Sequence, residues 1–598
     1  MRVVATAGHV DHGKSTLLRA LTGMEPDRWE EERRRGLTLD LGFVWTALPD
    51  GEPLAFVDVP GHERLVGTML AGVGPVPAVL LVVAADQGWQ AQSEEHLAIC
   101  DALRVRHGLL AVTRCDLAAP ATVRAVRDDA RARIAATSLG AVPAVTVSAV
   151  TGEGLAELRT ALARLAAALP PPDVAADVRL WVDRAFTVRG HGCVVTGTLA
   201  AGTLRTGDRL HLDDGTPVRV RALQALRRDY ETLSAVARVA VNLHGATPGD
   251  GAGQVRRGRA LLTPGRWLTT GTVDVRLHGD PPAALPRHLT LHLGTAAVPV
   301  TVRPLHRDHD TARLTLARPL PLRVGDTALL RDPGRHRVPA RVTVLDVEPP
   351  PLTRRGAAAA RARALATVTG VPDGAAELRR RGLARRDRLR AMGVVPPPAP
   401  RVGDWLVDPD HWAELRRRLA RLVAAHAAAH PLDPGLPTEA ARRELGLPER
   451  RLVEALADVT APGLAPLTHR QGRLYGAVTA PELPPSVRRA VATVRRELAG
   501  APFRAPHAGR LRELGLTREV LAAAAAAGAL LRLADEVVLL PGDDARAAEV
   551  LAKLDQPFTL SEARRALDTT RRVAVPLLEH LDRRGWTVRL DELHRRVR

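Results

Sequence analysis

The chain has 598 residues, with 85 Lys and Arg against 66 Asp and Glu, which gives a formal charge of +19. At about 150 residues per domain this length predicts about four domains, and a hydrophobic fraction of 45% excludes disorder over most of the chain. The three cysteines are too few and too scattered for a disulfide framework or a zinc cage, and no apolar run approaches the ~20 residues that span a bilayer. We therefore expect a soluble cytoplasmic protein with no membrane partner, and we expect it to be a monomer.

Residues 1–170 alternate apolar strands with helical stretches. The strand-like runs are Val3–Ala7, Leu54–Val59, Val79–Ala84, Leu109–Thr113 and Val142–Val147. Amphipathic stretches such as 15–22 and 154–168 follow them. This alternation predicts an α/β domain whose mostly parallel sheet has helices on both faces.

Residues 177–347 have a different texture, in which short β-branched segments alternate with Gly, Pro and Asp-Gly turns. No long helical period is evident, so we predict two small β-barrels, residues 177–265 and 270–347, rather than one large sandwich. The prolines of 169–174 and 348–352 are typical of linkers, because consecutive prolines cannot continue a helix.

Residues 353–598 repeat one pattern: an amphipathic helix, a tight break, a second amphipathic helix and a short strand pair. The clearest helical pairs lie at 442–452, 511–521 and 564–575. The pattern is typical of winged helices, and it predicts four modules, residues 353–412, 413–478, 482–541 and 542–598. Residues 351–598 carry a net charge of +14, which favours a polyanionic partner for this tail.

The segment after the first strand matches the phosphate-binding pattern G-x-x-x-x-G-K-[ST] in full. Its residues are Gly8, His9, Val10, Asp11, His12, Gly13, Lys14 and Ser15, with Thr16 following in the helix. Glycines let backbone N–H groups face phosphates, and the helix N-terminus adds partial positive charge. We expect Lys14, one of only two lysines in the chain, to reach the β- and γ-phosphates and Ser15 to bind Mg²⁺.

A second group of candidate residues surrounds the end of the next apolar strand. Asp58 is expected to hold Mg²⁺ through water, and the N–H of Gly61 to bind the γ-phosphate. His62 is then placed to orient the attacking water, and Thr38 is a candidate second Mg²⁺ ligand. Lys14, Gly61 and His62 are the predicted catalytic residues.

The residues after two further buried strands complete a base site: Thr113, Arg114, Asp116, Leu117, Ser148, Ala149 and Val150. The Asp116 carboxylate can accept both N1–H and N2–H of guanine, which adenine does not present, and Ser148 would buttress the base. Because ligands bind at the carboxyl-terminal edge of such sheets, these motifs in this order predict a GTP site.

These motifs resemble the translational GTPases of the elongation factor Tu superfamily. The likeness is carried by AGHVDHGKSTLLRALTG (7–23), RRGLTLDLGF (34–43), DVPGHERLVGTMLAG (58–72) and TRCD (113–116). More narrowly, the chain is similar to the selenocysteine-specific elongation factors of bacteria in residues 27–43, in DRAFTVRGHGCVVTGT (183–198) and in the winged helices. It departs where Thr113-Arg114 replaces the more usual Asn-Lys, and where 88–97 replaces a more usual Val-Met-Pro.

The resemblance implies a factor that uses GTP and Mg²⁺ to deliver selenocysteinyl-tRNA to the ribosome at recoded UGA codons. It implies that Val10 is half of a hydrophobic gate beside the attacking water. It also implies that Asp183, Arg184 and Arg238 lie near the selenocysteinyl group, whose ionised selenol a cationic pocket could tell from serine by charge.

The tail would then bind an mRNA hairpin beside the UGA codon, chiefly through Thr570, Arg571 and Arg572 at the start of the last recognition helix. Two alternatives stay open. The chain could be another translational GTPase that delivers ordinary or initiator tRNA, or a regulator that binds nucleic acid and is switched by nucleotide.

Overall fold

The structure is a computed structural model, and it describes residues 1–26, 40–60, 66–74, 76–335, 337–430, 433–459, 465–476 and 483–598. The predicted site residues Thr38, Gly61 and His62 lie outside these ranges. The chain divides into two compact units, one of Met1–Glu377 with Arg385–Pro397 and one of Leu378–Ala384 with Pro398–Arg598. Within the described ranges, no helix is both long enough and apolar enough to cross a membrane.

The first unit begins with an α/β domain built on a six-stranded sheet. Its strands are β1 (Arg2–Ala7), β2 (Gly42–Ala47), β3 (Pro53–Asp58), β4 (Ala78–Ala84), β5 (His107–Thr113) and β6 (Ala144–Thr146). Its helices are α1 (Lys14–Thr22), α2 (Val66–Val73), α3 (Ala91–Ala102), α4 (Pro120–Ala135) and α5 (Leu155–Ala168). The strand order is β2-β3-β1-β4-β5-β6, parallel except for β2, which runs antiparallel to β3.

The strands of this sheet are continuous apolar runs because both faces are covered. In β4, Val79, Leu81 and Val83 enter one buried cluster while Leu80 and Val82 enter the other. Parallel strands that are buried on both sides have this composition. The predicted α/β domain is confirmed, and the carboxyl-terminal ends of its parallel strands meet at one edge.

Two closed barrels follow. The first contains β7 (Arg179–Val188), β8 (Gly192–Leu199), β9 (Thr203–Arg205), β10 (Arg209–Leu212), β11 (Pro217–Ala225), β12 (Arg228–Tyr230), β13 (Thr232–Ser234), β14 (Ala237–His244), β15 (Thr247–Pro248), β16 (Gln254–Val255) and β17 (Ala260–Leu262). Its sheet runs β10-β17-β7-β8-β14-β11 and closes because β10 also pairs with β11. The second contains β18 (Leu268–Gly279), β19 (His288–Leu293), β20 (Ala296–Pro304), β21 (Thr311–Leu322), β22 (Thr327–Asp332) and β23 (Arg337–Asp346). The prediction of two small β-barrels is confirmed.

Arginine contacts join the two barrels. Arg179 of β7 makes two hydrogen bonds to Asp326, at 2.6 and 2.7 Å. The Trp267 ring contacts both Arg179 and Arg323, whose guanidinium carbons lie 4.5 and 3.6 Å from its centroid. A planar guanidinium can stack and bind a carboxylate bidentately at once, which a lysine cannot do. These contacts therefore fix the relative position of the two barrels.

The first helix of the tail, α6 (Ala357–Leu365), packs on the second barrel and buries Leu365 there. Arg361 of this helix donates to Asp274 at 2.7 Å and forms an ion pair with Asp346, both buried barrel carboxylates. Removing one partner of a buried ion pair leaves an uncompensated charge. These ion pairs therefore fix where the helix docks.

The middle of the tail alternates short helices and strands. Its first part contains α7 (Gly374–Arg381), β24 (Leu383–Arg385), α8 (Arg386–Ala391), β25 (Arg401–Val402) and β26 (Trp405–Val407). The next part contains α9 (Pro409–Ala429), β27 (Leu436–Pro437), α10 (Thr438–Leu445), α11 (Arg450–Asp458), β28 (Thr468–Arg470) and β29 (Arg473–Tyr475). Helix α9 packs with α10 and α11 in one core and crosses the expected boundary at 412/413. That boundary therefore has to lie before Pro409.

The last two modules share one hydrophobic core that extends from Leu483 to Leu581. The earlier module contains α12 (Pro485–Gly500), α13 (Ala508–Glu513), α14 (Arg518–Ala526), β30 (Leu531–Ala534) and β31 (Val537–Leu539). The later one contains α15 (Asp543–Ala552), β32 (Phe558–Thr559), α16 (Leu560–Ala566), α17 (Arg571–Arg584), β33 (Thr587–Arg589) and β34 (His594–Val597). Each has a helix–turn–helix followed by a strand wing, so the predicted winged-helix architecture is confirmed.

Candidate functional site

The phosphate loop, residues 8–15, connects β1 to α1. Gly8 and Gly13 have φ values of +136° and +77°, which glycine adopts far more readily than other residues. A Cβ at Gly8 would lie 2.2 Å from the carbonyl oxygen of Val82, so no larger residue fits there. The two glycines therefore allow the loop backbone to lie at the N-terminus of α1, where its N–H groups can face a phosphate.

Lys14 is the first residue of α1 and is only 6% exposed. Its Nζ donates hydrogen bonds to the carbonyl oxygens of Gly8 at 3.0 Å and His9 at 2.7 Å. The loop thus surrounds the Lys14 ammonium group, whose positive charge can bind a phosphate. The structure brings the predicted loop residues together, with Thr16 exposed on the first turn of α1.

Asp58 ends β3 and is fully buried beside the loop. Thr6 Oγ1 donates to its Oδ1 at 2.7 Å, and Ser15 Oγ donates to its Oδ2 at 2.8 Å. Hydroxyl, carboxylate and water oxygens are the ligands that Mg²⁺ prefers. The Ser15–Asp58 pair therefore fits an Mg²⁺ site.

Helix α3 supplies two loop contacts that the sequence analysis missed. The backbone N–H of Gly8 donates to His96 Nδ1 at 3.0 Å, and that of Val10 donates to Gln92 Oε1 at 3.1 Å. Gln92 and His96 are four residues apart and so share one face of the helix. The only sequence signal for these contacts is a pair of polar residues at helical spacing, which does not predict the loop that the helix packs against.

Histidines near the loop are held neutral by burial. Burial lowers the pKa of His12 to about 4 and that of His96 to about 3. Burial and the charge of Lys14 also lower the pKa of His9. Only a neutral imidazole has the ring nitrogen acceptor that the N–H of Gly8 uses at His96.

We expect the α/β domain to lose stability as the pH falls from about 6.5 to about 4, below the ordinary histidine pKa and down to the lowered pKa of His12. Below the ordinary pKa of 6.5, the unfolded chain protonates His12 and His96 while the folded domain keeps both neutral. The unfolded state then binds more protons, so the free energy of unfolding falls, by up to about 2.7 kcal/mol per pH unit for two histidines. Hydrogen exchange of the β1 and β4 amides in the full chain measures this fall.

The variant His96→Gln is the control, because its amide oxygen can still accept from Gly8 while the side chain no longer titrates. We expect its pH slope to be about half that of the wild type. An unchanged slope would show that His96 is not the group responsible.

Thr113 and Arg114, at the end of β5, brace the phosphate loop. Thr113 Oγ1 donates to the carbonyl oxygen of His12 at 2.7 Å. Arg114 donates to the carbonyl oxygen of Asp11 and pairs with Asp86 at 3.3 Å. Thr113 and Arg114, which replace the more usual Asn-Lys, therefore connect the end of β5, where the predicted base site begins, to the phosphate loop.

The predicted base-binding residues form an exposed edge. Asp116 is exposed, and Leu117 and Val150 are unusually open for large apolar residues, at 63% and 83%. Ser148 is buried, its Oγ accepts the N–H of Val150 at 3.3 Å, and half-buried Ala149 lies between them. Apolar side chains beside a carboxylate suit a planar base, which offers two apolar faces and a donor edge.

Asp183 and Arg238 form an ion pair where the α/β domain meets the first barrel. Arg238 binds Asp183 with two guanidinium nitrogens, and Thr196 Oγ1 donates to the same carboxylate at 2.6 Å. The guanidinium carbon of Arg238 lies 3.7 Å from the ring centroid of Phe43. The charge of Arg238 is thus balanced within the protein, and neither member of the pair lines the cleft that Arg184 enters.

Arg184 lines an open cleft of about 650 Å³ between the α/β domain and the first barrel. Its guanidinium lies 2.8 Å from Asp40 and 2.5 Å from the carbonyl oxygen of Leu41. Arg256 and Arg257 also line the cleft. Arg257 also pairs with Asp40, at 3.6 Å, and Arg256 pairs with Asp250. Three guanidinium groups therefore face two carboxylates, and the remaining positive charge favours an anionic guest.

The three predicted RNA-binding residues stand at the start of α17, but they differ in their contacts. Thr570 and Arg571 are exposed. Arg572 instead donates to the carbonyl oxygens of Ala505 and Pro506, at 2.8 and 2.7 Å, in the preceding module. Arg572 is exposed as well, and its hydrogen bonds link the last two modules, so its role in RNA binding stays a prediction.

Comparison with known proteins decides the family. The family model described as Elongation factor Tu GTP binding domain matches residues 1–168, and the one described as Elongation factor SelB, winged helix matches residues 549–596. The chain is 35% identical over 465 residues to the selenocysteine-specific elongation factor of Escherichia coli, covering 74% of this chain and 73% of that protein. The chain belongs to the family of selenocysteine-specific elongation factors.

Further relatives agree with this family. The chain is 36% identical over 340 residues to the selenocysteine-specific elongation factor of Desulfomicrobium baculatum, a match over 55% of this chain and about half, 53%, of that relative. The crystal structure of bacterial selenocysteine-specific elongation factor EF-Sec has the same fold, with a TM-score of 0.75 over 100% of both chains at 23% identity. The predicted family and fold class are confirmed, and residues 1–168 are the GTP-binding domain of a translational GTPase.

Proposed function

We propose that this chain is a GTP-hydrolysing elongation factor that delivers selenocysteinyl-tRNA to the ribosome at recoded UGA codons. The observation that supports this most is the presence, in one chain, of the GTP-binding domain and the SelB winged helix. GTP and Mg²⁺ are the nucleotide and the ion, and the partners are selenocysteinyl-tRNA, an mRNA hairpin and the ribosome. The factor would act in the cytoplasm as a monomer.

Hydrolysis in this proposal depends on positioning and on charge. Lys14 balances the charge of the β- and γ-phosphates, and the backbone N–H groups of the loop and of Gly61 donate to their oxygens. His62 orients the attacking water, and Val10 shields it. Each of these groups acts without forming a bond to the substrate.

Separate residues bind the ion and the guanine base in this proposal. Ser15, Thr38 and Asp58 would hold Mg²⁺, which when bound supplies positive charge at the phosphate oxygens. Asp116 reads the guanine edge by accepting two hydrogen bonds. The fully buried position of Asp58 and the exposed position of Asp116 are consistent with these two roles.

Discrimination of the amino acid is assigned to Asp183, Arg184 and Arg238. A selenol is largely ionised at neutral pH, whereas a seryl hydroxyl is not. Arg184 already lies 2.8 Å from the Asp40 carboxylate, so a selenolate in the cleft can compete for the same guanidinium. The Asp183–Arg238 pair contributes by fixing the strands β7 and β14 beside that cleft.

The tail in this proposal tethers the factor to its message. Thr570 and Arg571 begin α17, where backbone N–H groups and a guanidinium can bind hairpin phosphates. Tethering raises the effective concentration of the factor at the correct codon. A factor for ordinary or initiator tRNA has no need of such modules, so the SelB winged-helix match over residues 549–596 favours the selenocysteine proposal over that alternative.

GTP turnover on programmed ribosomes tests the proposal. The full chain with selenocysteinyl-tRNA is mixed with ribosomes carrying a UGA message, with or without the hairpin. We expect rapid turnover that depends on the hairpin, and Arg571→Gln should weaken hairpin binding about tenfold through the loss of a charged phosphate contact. The control is Arg583→Gln, an exposed arginine in the last turn of the same helix. Duplex DNA binding without ribosome-stimulated turnover would instead support the nucleotide-switched regulator.

A further inference from the structure

Asp40 extends from the α/β domain into the cleft that Arg184 and Arg257 line on the first barrel. Its carboxylate lies 2.8 Å from Arg184 and 3.6 Å from Arg257. The carbonyl oxygen of the next residue, Leu41, accepts a further hydrogen bond from Arg184 at 2.5 Å. The Asp40 side chain is 32% exposed, so solvent screens these contacts only in part. A carboxylate of the protein therefore holds the position in which an anionic guest would bind.

Asp250 is a second carboxylate at the cleft, and its contact is of a different kind. It pairs with Arg256, and its side chain is 79% exposed. An ion pair that is open to solvent is weak. Both members of this pair belong to the first barrel, between β15 and β17. The Asp40 contacts, in contrast, join the barrel to the α/β domain.

The segment that carries Asp40 is connected to the proposed Mg²⁺ site. Two residues after Asp40, Gly42 begins β2 and lies directly opposite Asp58 in the pairing with β3. A Cβ at Gly42 would lie 3.1 Å from the Cβ of Asp58 and 2.9 Å from the carbonyl oxygen of Pro26, so the strand fits closely here. Thr38, the proposed Mg²⁺ ligand, precedes Asp40 by two residues in the sequence. Two residues span at most about 7 Å, so Thr38 cannot move far without moving Asp40.

We infer that Asp40 is an autoinhibitory residue, whose carboxylate occupies Arg184 and Arg257 until GTP and Mg²⁺ draw its segment away from the cleft. The inference rests on the proposed function, because it concerns the cleft assigned to the selenocysteinyl group, and the guest is the selenolate of that group. While Asp40 stays in place, a selenolate has to displace one anion and remain beside it. Once Asp40 has left, two guanidinium groups can bind the selenolate.

This contact makes binding of the selenolate depend on the nucleotide. A conformational change alters the affinity for a ligand only when the ligand interacts differently with the two states. The selenolate does so, because its charge is repelled by the Asp40 carboxylate. A seryl hydroxyl is neutral and gains little when Asp40 leaves. Coupling between two sites typically changes an affinity by about 5- to 150-fold.

Protection of the aminoacyl ester by two variants of the full chain tests the inference. Asp40→Asn keeps the shape of the side chain and removes its charge. Asp250→Asn is the matched control, because it removes the other carboxylate of the cleft and leaves the segment beside the Mg²⁺ site unchanged. Selenocysteinyl-tRNA and seryl-tRNA with the same tRNA body are titrated with each protein, once with GTP and once with GDP.

We expect Asp40→Asn to bind selenocysteinyl-tRNA at least about tenfold more tightly than the wild type with GDP, and to differ little with GTP or with seryl-tRNA. Asp250→Asn should give at most a small gain, equal for the two nucleotides, because solvent screens its charge. An equal gain with GTP and GDP in Asp40→Asn, or no gain, would overturn the inference. Structural damage from the substitution would lower the affinity and not raise it.

A measurement without tRNA separates the inference from the proposed function. Phenylglyoxal modifies guanidinium groups, and mass spectrometry of the peptides follows the reaction at Arg184. We expect this reaction in the wild type to be faster with GTP than with GDP, and in Asp40→Asn to be fast with both. Equal rates with the two nucleotides in the wild type would overturn the inference. The expected rates without protection of either ester by the wild type would contradict the proposed function alone.

Discussion

Replacing Asp116 by asparagine is expected to change the nucleotide preference of the site from guanine to xanthine. The carboxylate accepts two donors, N1–H and N2–H of guanine, each through a charge-assisted hydrogen bond. An asparagine amide can accept only through its oxygen, and its NH₂ group would face the N2–H donors. Xanthine has a carbonyl oxygen at that position, which accepts from the same NH₂ group.

The expected loss for guanine is large. Two charge-assisted hydrogen bonds of about 1.5–3 kcal/mol each correspond to at least a hundredfold weaker GTP binding. Asp128→Asn is the matched control, since Asp128 is an exposed carboxylate of α4 that pairs with its neighbour Arg127. Competition between guanosine and xanthosine nucleotides measures the preference. A variant that kept its preference for guanine would remove Asp116 from the base site.

Lys14→Arg is expected to weaken nucleotide binding by roughly a hundredfold or more, corresponding to about 3 kcal/mol. Lys14 is 6% exposed, and its ammonium group donates to two loop carbonyls, those of Gly8 and His9, at 3.0 and 2.7 Å. A broader planar guanidinium cannot take that place without opening the loop. The sequence supports this expectation, because the chain uses arginine for nearly every other cation and keeps lysine here.

The chain provides its own control for this substitution. Lys553, the one other lysine in the sequence, is exposed just after α15. Lys553→Arg makes the same chemical change outside the site, and it should bind nucleotide as the wild type does. Titration with a fluorescent GTP analogue compares the two variants. Equal affinities in both would show that the loop does not select for lysine.

The phosphate and base residues could be predicted from sequence because their signals are local. Each lies in a motif directly after an apolar strand, and parallel strands deliver such motifs to one edge of a sheet. Gln92 and His96 could not be found this way. Their hydrogen bonds join residues separated by 82 and 88 positions, and the packing of α3 against the loop decides them.

The partners of the charged residues also could not be predicted from local sequence patterns. Asp183 sits where the pairing of β7 and β8 shifts register, and this irregularity turns it toward Arg238 on β14, while its neighbour Arg184 faces Asp40. Arg572 follows the predicted recognition-helix pattern, yet its guanidinium binds backbone carbonyls of another module. In both cases the contact depends on how separate elements pack together.

The central claim is GTP-dependent recognition of selenocysteinyl-tRNA, and protection of the aminoacyl ester tests it most directly. Selenocysteinyl-tRNA and seryl-tRNA with the same tRNA body are incubated with the full chain and GTP or GDP at one salt concentration, and ester hydrolysis is followed. The account predicts that only the selenocysteinyl ester is protected, and only with GTP. Protection of neither ester would contradict it.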